Sequence, residues 1–222
     1  MGIILIGGTS GIGADVGTNT KAIRAEPRPV EVGSKGSYAG AWTSGTIAAG
    51  AAANSIVFSC RWTDATNGLL LRKLYTSMSS LGTGFTAGVG IAKVFATRAF
   101  TASDTGQTSV LPTGSSQKRK TGFAATAIGA LMISGTGAIT AGTGTDDGAE
   151  LANLMFAVSA TTNAVMLPTS NLWAPDFSGE WPLVLLQNEG FRVRYTVPAT
   201  GTWQVQVGME WSEVAPGSGY GF

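Results

Sequence analysis

The stretch FRVRYTVPATGTWQVQVGMEW, residues 191–211, constrains this chain more than any other. Phe191, Val193, Tyr195 and Val197 alternate with Arg192, Arg194 and Thr196. After PATG, Trp203, Val205, Val207, Met209 and Trp211 alternate with Gln204, Gln206, Gly208 and Glu210. A period of two places each set on its own face of an extended strand, whereas a helix would scatter both sets around its axis. With a Pro/Gly turn between them, the two runs predict a half-buried β-hairpin.

Shorter runs repeat the pattern upstream. In SIVFSCRW, Phe58, Cys60 and Trp62 share a face; in VGIAKVFATRAF, Val89, Ile91, Lys93, Phe95 and Thr97 share one, with Val94 and Arg98 opposite. AIGALMIS, NLMFAVSA and PLVLLQ read as further strands between Gly, Pro, Asn and Thr clusters. LLLRKLYTSMSSL is ambiguous, because Leu70, Leu74, Met78 and Leu81 would also form a helical stripe. Its Ser/Thr content and its neighbours favour a strand. Many short strands with little convincing helix predict an all-β fold, a jelly roll or β-sandwich.

A chain of 222 residues suits one domain with an appended arm. Residues 1–36 read as an extended N-terminal arm, since AEPRPVEV alternates prolines with charges. Residues 37–215 form the body and 216–222 a glycine-rich tail, with 103–122 expected as a surface excursion.

The N-terminal GGTSGIG, Gly7 to Gly13, has the look of a dinucleotide-binding turn. That turn needs a following helix and a later acidic residue to serve a cofactor. Here Gly17, Thr18 and Asn19 interrupt the helix, and Pro27 and Pro29 remove later donors. No Tyr-x-x-x-Lys pair exists, and Ala14-Asp15 stand where a phosphate loop needs Lys and Ser/Thr. The segment reads as a contact stretch, and no cofactor is expected.

The absence of histidine removes Ser-His-Asp and Cys-His nucleophilic systems and every histidine-dependent metal site. The single cysteine, Cys60, excludes an internal disulfide and reads as a small buried residue. Asp146, Asp147 and Glu150 are the only clustered carboxylates, and TDDGAE reads as a solvated turn lacking calcium-loop spacing. Lys118-Arg119-Lys120 is the only dense basic run and lacks interleaved aromatics, so no nucleic-acid role is expected. Trp62, Trp203 and Trp211 fall on apolar strand faces, while Trp173 and Trp181 are the candidates for surface anchors. No catalytic, cofactor-binding or metal residue is assigned.

A net charge of +1 gives no bulk attraction to nucleic acid or an anionic membrane. Charged residues make up only 12%, which is low for a free surface and characteristic of surfaces covered by neighbours. No secretory signal opens the chain, and the uncharged windows 36–60 and 121–145 are too rich in Gly, Ser and Thr for a spanning helix. The expectation is a soluble protein with no membrane partner.

SYAGAWTSGTIAAGAAANSIVFSCRW, LGTGFTAG and the closing NEGFRVRYTVPATGTWQVQVGMEWSEV together resemble structural proteins of tailed-bacteriophage virions. More narrowly, they are similar to proteins made alongside the major capsid protein, over residues 37–215. The resemblance implies a non-enzymatic jelly-roll or sandwich subunit, a capsid cement or decoration protein. As expectations, such a subunit forms a homotrimer, binds the major capsid protein lattice in many copies, and resides on the capsid surface after assembly in the host cytoplasm. It implies no catalytic residues. The alternatives are a tail or head-tail adaptor component, a carbohydrate-binding module using Trp173 and Trp181, and a carboxylate hydrolase using Asp146 and Asp147.

Overall fold

β-branched and aromatic residues at alternate positions make this chain a set of strands, and it is their pairing order that defines the fold. The computed structural model describes residues 6–7, 12–13, 35–114, 117–175 and 182–216. The strands are β1 (Ile6–Gly7), β2 (Ile12–Gly13), β3 (Gly36–Thr43), β4 (Ser55–Trp62), β5 (Gly68–Leu81), β6 (Gly88–Arg98) and β7 (Thr108–Ser109). They continue as β8 (Ile128–Ile133), β9 (Thr145–Asp146), β10 (Ala152–Val158), β11 (Val165–Trp173), β12 (Leu183–Leu185), β13 (Glu189–Thr196) and β14 (Thr202–Val214). Among the described residues β1 and β2 pair with each other and with no other strand. Most of the expected arm and the end of the tail lie outside the described residues.

Eight strands form antiparallel pairs nested by sequence: β3 with β14, β4 with β13, β5 with β11, and β6 with β10. One sheet runs β11-β5-β14-β3 and the other β10-β6-β13-β4. First with last, second with seventh, third with sixth and fourth with fifth is the jelly-roll order within a β-sandwich. The ambiguous LLLRKLYTSMSSL is strand β5, as its neighbours suggested. The segment between β6 and β10, residues 99–151, is an insertion at the turn of this long folded hairpin. It adds β8 beside β4, β7 beside β8, and β9 beside β6.

The two strongest strands are present, but they are not a hairpin. β13 bonds to β4 and β6, whereas β14 bonds to β3 and β5 in the opposite sheet. PATG carries the chain from one sheet to the other, so the two apolar faces meet across the core. The rings of Tyr195 and Trp203 face each other at 5.5 Å. Period-two alternation specifies which face is buried and leaves the bonding partner open; PATG also lacks the two-residue Asn-Gly or Gly-X signature of tight hairpins.

β6 keeps the alternation read from its sequence, and the structure shows which face is buried. Its core face carries Gly90, Ala92, Val94 and Ala96, and the larger Ile91, Lys93 and Phe95 point outward. The Phe156 ring of β10 lies over Gly90, in the space a Cβ would take. The core therefore combines small residues on β6 with fully buried Phe58, Trp62, Phe191, Tyr195, Trp203 and Trp211 elsewhere. Burying such side chains contributes about 1.5–3 kcal/mol each. Cys60 lies in this core, as its sequence context predicted.

Candidate interaction surface

The outward face of β13 carries Arg192 and Arg194, and the neighbouring face of β4 carries Arg61. A row of guanidinium groups would ordinarily lie in solvent. Here the insertion folds back over it. Arg192 donates from Nε to Asp104 Oδ2 at 2.9 Å and from Nη2 to Asp104 Oδ1 at 2.6 Å. Its Nη1 reaches the Gly144 carbonyl at 2.9 Å and Asp146 Oδ1 at 3.0 Å, and its plane lies 4.9 Å over the Phe100 ring. Arg194 donates from Nε to Asp146 Oδ2 at 2.8 Å, and Thr97 donates to Asp146 Oδ1 at 2.9 Å. Arg61 binds the Phe100 carbonyl, Ser103 Oγ and Asn188 Oδ1. Beside this polar layer, Ile139 packs on Ile56 and Met132 as a small second core.

This arrangement revises three expectations. Asp104, placed in a surface excursion, is buried and paired. Arg192, placed on a polar face, is only 2% exposed. In TDDGAE, Asp146 is not a solvated turn residue; both its oxygens are occupied, which leaves no free lone pair pointed at a substrate. Asp147 and Glu150 pair separately with Arg98 and Lys93. Among the described residues no three metal-capable side chains converge.

The other sequence candidates also take structural places. Lys118-Arg119-Lys120 runs along the β3 edge, where the Ala39 amide donates to the Gln117 carbonyl at 2.9 Å and the Arg119 amide donates to the Ser37 carbonyl at 2.9 Å. Arg119 also pairs with Glu210 at 2.8 Å. Trp173, expected as a surface anchor, is partly buried against the core and its Nε1 is shielded, so it offers no flat platform. Trp181 lies outside the described residues, as does most of GGTSGIG.

What remains outward is an edge. The 117–119 segment covers β3, and β7 covers β8. On the opposite side β10 and β11 form the margins of their sheets, packed over one another. β11 is blunted in two ways, by Pro168 in its centre and by three shifts of register along β5. β10 has neither defence. ANLMFAV is seven residues without charge or proline, paired to β6 in unbroken register. Met155 is 69% exposed and Val89 of β6 is 53% exposed on the same outward face. Long, flat, uncharged margins are templates for another strand, and natural proteins normally protect them. The signal was present in NLMFAVSA, but only the pairing shows that this segment is a margin.

The fold and this surface define a jelly-roll β-sandwich in which Arg192 and Asp104 are paired in the interior and, among the described residues, β10 is an uncharged margin in unbroken register. Comparison with protein families, curated proteins and solved structures found no match. Among the described residues no helix is long and apolar enough to cross a membrane.

Proposed function

We propose that this chain is a non-enzymatic structural subunit of a virion, a cement or decoration protein that self-associates as a homotrimer and binds the major capsid protein lattice. The supporting observation is the contrast between its surfaces. The polar groups that could do chemistry are consumed in holding the insertion, while the uncharged β10 margin is left open for association. The low charge content and the resemblance to virion proteins of tailed phages point the same way. Many weak lattice contacts would add up to firm retention, because each bound copy raises the effective concentration of the next contact.

Sizing of the purified chain and co-sedimentation with capsids test the reading. The expected result is a trimer that pellets with capsids and is absent from tails. A monomer that stays in the supernatant refutes it; retention on tails alone favours the adaptor role.

A further inference from the structure

The prolines of the N-terminal segment and the open margin of β10 have matching requirements. In an extended strand, residues of one parity point their amides and carbonyls to one side, and residues of the other parity point theirs away. In EPRPVEV, residues 26–32, Pro27 and Pro29 share a parity with Glu31, while Glu26, Arg28, Val30 and Val32 hold the other. Both missing donors therefore fall on the same side. Such a segment can bond one neighbour through its even residues and end a sheet with its odd ones, the placement in which strand proline is tolerated.

We propose that residues 26–32 of one copy add as the outermost strand to β10 of a second copy. The proposal rests on the reading of this chain as a self-assembling subunit, and it names the contact. β10 needs a capping strand, and this segment is built to be one. It cannot serve its own β10. Val32 is four residues before Gly36, so it reaches at most ~14 Å from the start of β3. β3 is the far margin of the smaller sheet, and the lane outside β10 lies about four strand spacings, ~19 Å, across the sandwich and one sheet spacing, ~10 Å, away. A donor segment and an acceptor margin on different parts of the surface make a head-to-tail contact, the type of contact from which a cyclic trimer is built.

Two experiments on the full-length chain test this. In the first, Val30→Pro and Glu31→Pro are compared by sedimentation velocity. Val30→Pro removes an amide from the bonded side and is expected to weaken assembly at least tenfold; Glu31→Pro alters the outward side and should assemble like the parent. Equal behaviour of the two variants overturns the proposal. In the second, Arg28→Cys and Met155→Cys are made separately, mixed, and treated with a short bismaleimide, Cys60 being buried. A covalent heterodimer found only in the mixture is the expected result. A control chain carrying both substitutions that links only within itself, Met155→Cys linking only to itself in the mixture, or no link at all, each overturns it. Failure to pellet with capsids while the heterodimer still forms would reject the lattice role alone.

Discussion

Arg192 and Asp104, 88 residues apart in sequence, close a two-point ion pair beneath the insertion, with Nε–Oδ2 at 2.9 Å and Nη2–Oδ1 at 2.6 Å. Asp104 also accepts the Gly142 amide at 2.7 Å, so one carboxylate ties β13 to both arms of residues 99–151. Removing Asp104 takes the two-point partner from a buried guanidinium, which keeps the Nη1 contacts to the Gly144 carbonyl and to Asp146 at 3.0 Å, and breaking a buried pair is costly. Asp104→Ala is expected to lower stability by about 3–5 kcal/mol in urea titration. Replacing both groups, Arg192→Met with Asp104→Leu, should recover most of that loss. A double variant as unstable as the single one would show that the pair is not the source of the cost.

Tyr195 and Thr76 allow a directional test. Thr76 Oγ1 donates to the Gln206 carbonyl at 2.8 Å, so its only proton is used, and the 2.7 Å contact with Tyr195 must be a donation from the phenol. Tyr195→Phe removes that donor and is expected to cost about 1 kcal/mol. Thr76→Val strands the buried phenol, which loses its acceptor, and should cost more, about 2–3 kcal/mol. Chemical denaturation of the two variants gives the order, and the reverse order would contradict this geometry.

Glu213 gives a pH dependence. Burial pushes its carboxyl above the ordinary value of 4.5, opposed by donation from the Ala127 amide and the Thr126 hydroxyl, with Asp64 adding to the rise. The folded state therefore favours the protonated acid. Its contribution is fully present below pH 4.5 and is lost as pH rises through the elevated folded value. Glu213→Gln keeps the acceptor oxygen without the charge. It should raise the thermal midpoint at pH 7 relative to the parent, and the gain should vanish below pH 4.5. A gain independent of pH would rule out ionisation as its cause.

Cys60 reports global opening. The thiol is fully buried, and burial pushes its pKa up, so both access and thiolate formation are suppressed in the fold. Labelling by a thiol reagent is expected to follow the rate or equilibrium of unfolding across a denaturant series. Rapid labelling in native buffer would mean that β4 opens locally.

The residues themselves revealed the strands and much of the core. Alternation in FRVRYTV and WQVQVGMEW placed Tyr195, Trp203 and Trp211 inside, and the absence of histidine with one cysteine narrowed the chemistry before any contact was known. Alternation is a local property, fixed by the geometry of successive residues on one strand.

Partnership is not local. The backbone ladder bonds any strand to any other, so only packing of the whole chain decided that β13 and β14 face each other across the sandwich, with Tyr195 against Trp203. The same packing set the small-residue face of β6 against the core, with the Phe156 ring lying over Gly90. It buried Arg192 under Asp104, and it left β10 rather than β11 as the undefended margin. Sequence determined which residues avoid water; the tertiary structure decided which neighbours replace it, because those contacts join segments that alternation alone cannot relate.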